Sequence, residues 1–239
     1  MIIILTGHSG SGKTSACLEL ERRLAMRGWS LDGILCPALF SGSDKSGIAL
    51  KRIGEGKTSV LAKATRPAPG ESSAPTTSSA PTTSSVPTTS SVPGKRMPYL
   101  ESLPDGDIQY GRWLFDGKVM QRADRHASEA IGRVASLQAE ELATSSSTET
   151  RPMLVFVDEL GPLELDHATG LVNTLEKLDR LTTRHDSFMS ERHRICLVVA
   201  RPDIAVRLSE RWGGVPRVEA TMPPDGAIDM LINTMTGGV

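Results

Sequence analysis

Cysteine is scarce in this chain. Cys17, Cys36 and Cys196 are all it has in 239 residues. Three thiols so widely spaced exclude a disulfide framework and the paired spacing of a zinc site. They read as reduced, buried thiols of a cytoplasmic protein. Net charge is lacking too, at -1. That balance gives no sign of a nucleic-acid surface or an acidic tail. Long apolar runs are missing as well. Ile2 to Leu5 is cut off by Thr6 and Gly7, far short of a signal peptide or a spanning helix. No other stretch reaches membrane length, so no membrane partner is expected.

One segment offers almost nothing to bury. From Ala74 the chain reads APTTSS, APTTSS, VPTTSS, then Val92 and Pro93. Sequence rich in proline and hydroxyls stays extended or disordered. Thr65 to Asp107 is therefore read as a low-complexity insert within a single domain spanning 1–239. A glycosylated, mucin-like stalk is the competing reading, disfavoured without a secretory signal. A second cluster, Thr144 to Thr150, reads as a shorter linker.

Elsewhere, apolar strands alternate with helical patterns. Met1 to Leu5, Met153 to Val157 and Ile195 to Ala200 read as buried strands. Thr14 to Arg27, Asp116 to Leu137, the stretch holding Leu171, Leu175 and Leu178, Ile204 to Trp212, and Gly226 to Met235 read as helices. Leu31 to Leu39, Gly47 to Ile53 and Ser59 to Ala62 are short runs between turn signals. They predict a small antiparallel section, and Ile108 to Phe115 predicts one further strand. The expected fold is α/β, with a mostly parallel central sheet covered on both faces.

Gly7-His8-Ser9-Gly10-Ser11-Gly12-Lys13-Thr14 fits G-x-x-x-x-G-K-[ST] at every defined position. Glycines let successive N–H groups turn inward as a nest for phosphate oxygens. The helix that follows aims its positive dipole end at the same place. The predicted nucleotide-binding residues are Gly7 to Thr14 together with Ser15. Lys13 is placed to reach the β- and γ-phosphates, and the Thr14 hydroxyl to ligate Mg2+. Gly56-Lys57-Thr58 looks similar, but lacks the first glycine and a strand leading into it; it reads as a hairpin turn.

The run Leu154 to Glu159 ends in two carboxylates, Asp158 and Glu159. Burying charges without partners is costly, so a cation is expected beside them. Asp158 is the second predicted Mg2+ ligand. Glu159, pointing elsewhere, is the candidate to orient or deprotonate water. Glu164 reads as a solvated helix start. Arg201, a cation at the end of a buried strand, has two readings: it senses the γ-phosphate, or it pairs with the domain's own carboxylates. His126, His167, His185 and His193 lack metal-ligand spacing and read as surface residues. Trp29, Trp113 and Trp212 read as packing residues, with Trp113 also a candidate to lie against a base.

With these motifs quoted, the chain resembles the small nucleoside-triphosphatases first described from thermophiles, also called cancer-related nucleoside-triphosphatases. The resemblance rests on Gly7 to Thr14, on Gly47 and Leu61-Ala62, and on Asp158-Glu159-Leu160-Gly161-Pro162-Leu163-Glu164. Tyr110 to Phe115 and Arg201-Pro202 look like a bacterial branch of that group. The resemblance implies a RecA-like P-loop core and slow, Mg2+-dependent hydrolysis of ATP, GTP and other nucleoside triphosphates. The repeat-bearing insert departs from the family pattern. Two other functions stand beside hydrolysis: a nucleotide or small-molecule kinase, and a regulatory module whose protein partner responds to nucleotide occupancy.

Overall fold

The computed structural model describes residues 1–65, 99–143, 151–183, 194–220 and 224–236. The amino-terminal elements are β1 (Ile2–Thr6), α1 (Lys13–Met26), β2 (Ser30–Leu35), β3 (Ala38–Ser41), β4 (Asp44–Ile53) and β5 (Lys57–Ala64). Then come β6 (Leu100–Ser102), β7 (Ile108–Tyr110), β8 (Trp113–Phe115) and the long helix α2 (Gly117–Ala143). The remainder is β9 (Met153–Asp158), α3 (Pro162–His167), α4 (Val172–Thr183), β10 (Arg194–Ala200), α5 (Pro202–Arg211), β11 (Arg217–Glu219) and α6 (Asp225–Thr236).

One large sheet runs β11-β1-β10-β9-β2-β4-β5-β8-β7-β6, with β3 paired to β4. From β11 to β2 every pairing is parallel; beyond β2 every pairing is antiparallel. The fold is a mixed α/β fold. Strand alternation divides its core. Ile2 and Ile4 face one apolar layer with residues of α2, α3, α4 and α5, while Ile3 and Leu5 face another with α1 and α6. Strands buried on both faces have no room for polar alternation, which is why these segments read as continuous apolar runs. Each fully buried aliphatic side chain stabilises the fold by about 1.5–3 kcal/mol.

Several expected elements are subdivided. Leu31 to Leu39 is two strands, because Cys36-Pro37 interrupts pairing. Ile108 to Phe115 is a hairpin, β7 and β8, whose turn contains Gly111 at φ 57°. Strand β6 lies inside the span assigned to the insert. Most of that insert, residues 66–98, lies outside the described residues, as do residues 144–150, His185 and His193. Strands β2 and β9 approach closely at Gly33, φ 99°. A Cβ there would sit 2.1 Å from the Phe156 carbonyl oxygen.

The register places the carboxyl ends of the parallel strands along one edge. Thr6 pairs with Ala200 and with Glu219, Val199 with Asp158, and Ile34 with Val157. Ligands of open α/β sheets bind at this edge. The antiparallel strands reach it too. Strand β4 begins there, since Leu35 pairs with Lys51 and Asp44 lies further out. Strand β5 ends there, with Ala64 paired to Trp113.

Candidate active site

Between β1 and α1 the chain makes a loop that glycine permits. Gly7, Gly10 and Gly12 have φ of 152°, 80° and 87°. A Cβ on Gly7 would lie 2.4 Å from Ser11 Oγ, so the first glycine is required by space as well as by φ. Gly12 is the N-cap of α1. The Ser11 N–H donates to the His8 carbonyl at 3.1 Å, and the Ala16 N–H to that of Gly12 at 2.8 Å. Gly7 is buried, Ser11 to Thr14 are half-buried, and His8, Ser9, Gly10 and Ser15 face solvent. The hydroxyls of Thr6 and Ser11 are buried with no hydrogen-bond partner.

Lys13 curls back over this loop. Its Nζ donates to the carbonyl oxygens of Gly7 at 2.6 Å and His8 at 2.9 Å. Burial lowers its pKa, Glu159 and Asp158 oppose that shift, and Arg201 adds to it. These four charges therefore share one neighbourhood, although they come from three separate segments.

Strand β9 delivers Asp158 to the loop. Its Oδ2 accepts from the Cys36 N–H at 2.9 Å and from the Thr14 hydroxyl at 3.2 Å. The side chain is inaccessible to solvent, and Oδ1 has no hydrogen-bond partner. Burial, and then the charge of Glu159, push its pKa up to about 7. An orphaned, buried carboxylate oxygen beside a threonine hydroxyl suits a hard, oxygen-seeking divalent cation. Thr14 and Asp158 thus fit the Mg2+ expected of this motif. Among the described residues there is no cluster of three or more His, Cys, Asp or Glu side chains able to hold a metal by themselves.

Glu159 stands one residue on and is exposed. Its φ of 72° is left-handed, unusual for a residue with a Cβ. The reversal ends the strand and sends the second carboxylate out of the sheet. Asp158 is held by two donors; Glu159 is left accessible.

Glu164 is not the solvated helix start expected from sequence. It is 7% exposed, and accepts from the Gly161 N–H at 2.8 Å and the Leu171 N–H at 2.9 Å. It closes the start of α3 as a cap and ties the segment after Glu159 into the core. Arg201, the N-cap of α5, is exposed and forms no ion pair among the described residues. Pairing with the domain's carboxylates, one of its two readings, is not seen among the described residues. His126 is not a surface residue; its Nε2 lies 3.1 Å from the Ile53 carbonyl. Trp212 packs in the core and its Nε1 donates to Asp179 at 2.9 Å. Two cations lie against the Trp113 ring. Lys45 Nζ lies 5.1 Å and the Arg112 guanidinium 4.5 Å from its centroid.

The NTPase family model matches residues 2–81, which include the Gly7–Thr14 loop. A curated relative, the nucleoside-triphosphatase THEP1 of Methanopyrus kandleri, is 33% identical over 67 residues, or 28% of this chain. Over these residues the chain is similar to nucleoside-triphosphatases of the THEP1 type. The aligned part spans 37% of that relative's length. The structure of a human cancer-related nucleoside triphosphatase superposes with a TM-score of 0.53 at 13% identity, covering 100% of this chain and 98% of that one. This is a likeness of fold alone. THEP1 from Aquifex aeolicus superposes with a TM-score of 0.48 at 16% identity, over 98% and 99% of the two chains.

Two parts of the site have weak sequence signals. The Cys36 N–H contact is a backbone donor and leaves no residue signature. Glu164 follows Gly161 by three positions, the spacing of a capping box, and that spacing was the available signal.

Proposed function

We propose that this chain hydrolyses nucleoside triphosphates, ATP and GTP among them, to the diphosphate and phosphate with Mg2+. The observation that carries the reading is the pairing of Thr14 with Asp158, whose other oxygen is buried and unpartnered, beside an exposed Glu159. When bound, Mg2+ would supply neutralisation of charge on the phosphate oxygens. Thr14 and Asp158 would hold it. The backbone N–H groups from Gly7 to Thr14, with Ser15, would bind the phosphates, and Lys13 would leave the loop carbonyls for the β- and γ-phosphate oxygens. Glu159 would orient water and take its proton. Arg201, with no carboxylate partner among the described residues, would balance charge at the terminal phosphate. The core would be RecA-like: β10 separates the loop strand β1 from the carboxylate strand β9. The whole chain, 1–239, would be one domain carrying a low-complexity insert at 65–107, and it would work in the cytoplasm.

Phosphate release from several nucleoside triphosphates, with and without Mg2+ and candidate acceptors, tests this. Acceptor-independent, Mg2+-dependent release supports hydrolysis. Transfer only to an acceptor would make the chain a kinase. Binding without release would make it a nucleotide-controlled module.

A further inference from the structure

Two cations at the sheet edge that carries the phosphate loop lack carboxylate partners among the described residues. Strands β3 and β4 continue past Cys36, whose backbone holds Asp158, and Lys45 sits on the outer part of β4, paired with Phe40. Arg112 occupies the β7–β8 turn at the same edge. Both place their charges on one indole, Trp113. Neither forms an ion pair among the described residues.

The turn is fastened from three sides. The Arg112 carbonyl accepts from the Thr65 N–H at 2.8 Å, and the Gly111 N–H donates to the Tyr99 carbonyl at 2.9 Å. The Tyr110 ring meets the His167 ring edge-on at 5.8 Å, which docks the turn on α3, the helix following Glu159. Two like charges sharing one ring repel each other. The ring offsets this in part through its quadrupole. An anion between or beside them would remove the rest.

We infer that Lys45 and Arg112, positioned by Trp113, form a second anion contact that binds the triphosphate chain of the substrate opposite the Gly7–Thr14 loop. This rests on the proposed nucleotide site and adds to it. Trp113 here serves as a platform for cations, not for a base. Lys45 and Arg112 are substrate-binding residues and Trp113 positions them: the two cations hold the phosphate chain in line with Lys13 and leave proton transfer to Glu159.

The test is titration calorimetry with inorganic tripolyphosphate and magnesium chloride, which needs no turnover and no base. Lys45→Gln and Arg112→Gln should each weaken binding about tenfold, as loss of a charge-assisted hydrogen bond does. Lys45→Arg and Arg112→Lys should recover most of it. Lys63→Gln, an exposed cation on β5 away from the ring, should bind like wild type. In turnover, the two glutamine variants should raise KM about tenfold with kcat little changed. Wild-type affinity in both variants, alongside a loss of binding in Lys13→Ala, would overturn this inference and leave the phosphate-loop reading intact. Wild-type affinity in Lys13→Ala as well, or no binding by the wild type, would overturn both.

Discussion

Cys36 holds Asp158 inside the protein: its N–H donates to Asp158 Oδ2 at 2.9 Å and its thiol to the Asp158 carbonyl oxygen at 3.8 Å. It gives a buried carboxylate part of what water would have given. Oδ1 receives nothing, and the carboxyl responds with a pKa raised from 3.8 to about 7. An acid that binds its proton more tightly when folded makes folding less favourable as pH rises between those two values. Asp158→Asn keeps the shape without the charge. The metal-free variant should melt higher than wild type at pH 8, by on the order of 3 °C or more. The gain should shrink as pH falls through 7 and vanish near 4. Adding Mg2+ with a nucleotide should raise the wild-type melting temperature and leave the variant's nearly unchanged. A variant that melts lower than wild type at pH 8 would show that the site is not strained by its charge.

Lys13 and Glu159 have separable tasks. Lys13 Nζ now satisfies two loop carbonyls; on binding it would exchange them for phosphate. Lys13→Ala should abolish nucleotide binding or turnover. Glu159→Gln should retain Mg-nucleotide binding and lower hydrolysis by about 10²–10⁴, because it loses basicity alone. Glu159→Gly should be equally inactive, yet at least as thermally stable, since glycine relieves φ 72°. Equilibrium binding, phosphate release and melting on the same three variants check this. Normal hydrolysis in Glu159→Gln would assign Glu159 a structural part.

What was legible in sequence follows from locality. The phosphate loop is a continuous stretch whose glycines answer a local steric demand, so pattern alone located it. The strands read at Met1 to Leu5, Met153 to Val157 and Ile195 to Ala200 were legible, to within a residue at each end, because strands buried on both faces are continuously apolar. Strand β11, Arg217–Glu219, was not foreseen; two of its three side chains are exposed and only Val218 is buried. Glu164 was misread because a charge near a helix start normally faces water, whereas here two backbone donors hold it inside. His126 was misread for a related reason. Its partners, Asp32, Glu55 and the Ile53 carbonyl, lie far away in sequence. Long-range polar pairing leaves no periodic trace.

That histidine should give the protein a measurable pH dependence. The hydrogen bond to Asp32 raises the His126 pKa above 6.5, against burial, with the Ile53 carbonyl and Glu55 adding to it. A base with a raised folded pKa contributes stability that is complete below its unfolded value and is lost as pH rises through the folded one. Asp32 stays ionised across this window. Burial pushes its pKa up, but His126, Arg133 and the Gly33 N–H together bring it below 3.8. The wild-type urea midpoint should thus fall between pH 6 and pH 8.5. His126→Gln should lose part of that slope and be the less stable protein mainly at pH 6. An identical slope in both would show that the imidazole stays neutral.

Asp124 offers the clearest stability test, because one buried carboxylate from α2 caps a different helix. Its Oδ1 accepts from the Thr174 N–H at 2.8 Å and the Thr174 hydroxyl at 2.7 Å. Its Oδ2 accepts from the Asn173 N–H at 3.2 Å and side-chain amide at 2.6 Å. The first N–H groups of a helix have no partners within it, and at the start of α4 no solvent reaches Thr174. Asp124→Ala would strand these donors and leave a small void. The cost should be about 3 kcal/mol, summed from unsatisfied buried donors and a lost cap, or roughly 10 °C in melting temperature for a chain of this size. Asp124→Asn should lose less, since one oxygen can still accept. Both variants should keep the wild-type KM, because neither touches the phosphate loop. Urea unfolding of the three proteins decides it: a loss below about 1 kcal/mol in Asp124→Ala would mean that water enters and replaces the carboxylate, and that α2 and α4 are held together by their apolar faces alone.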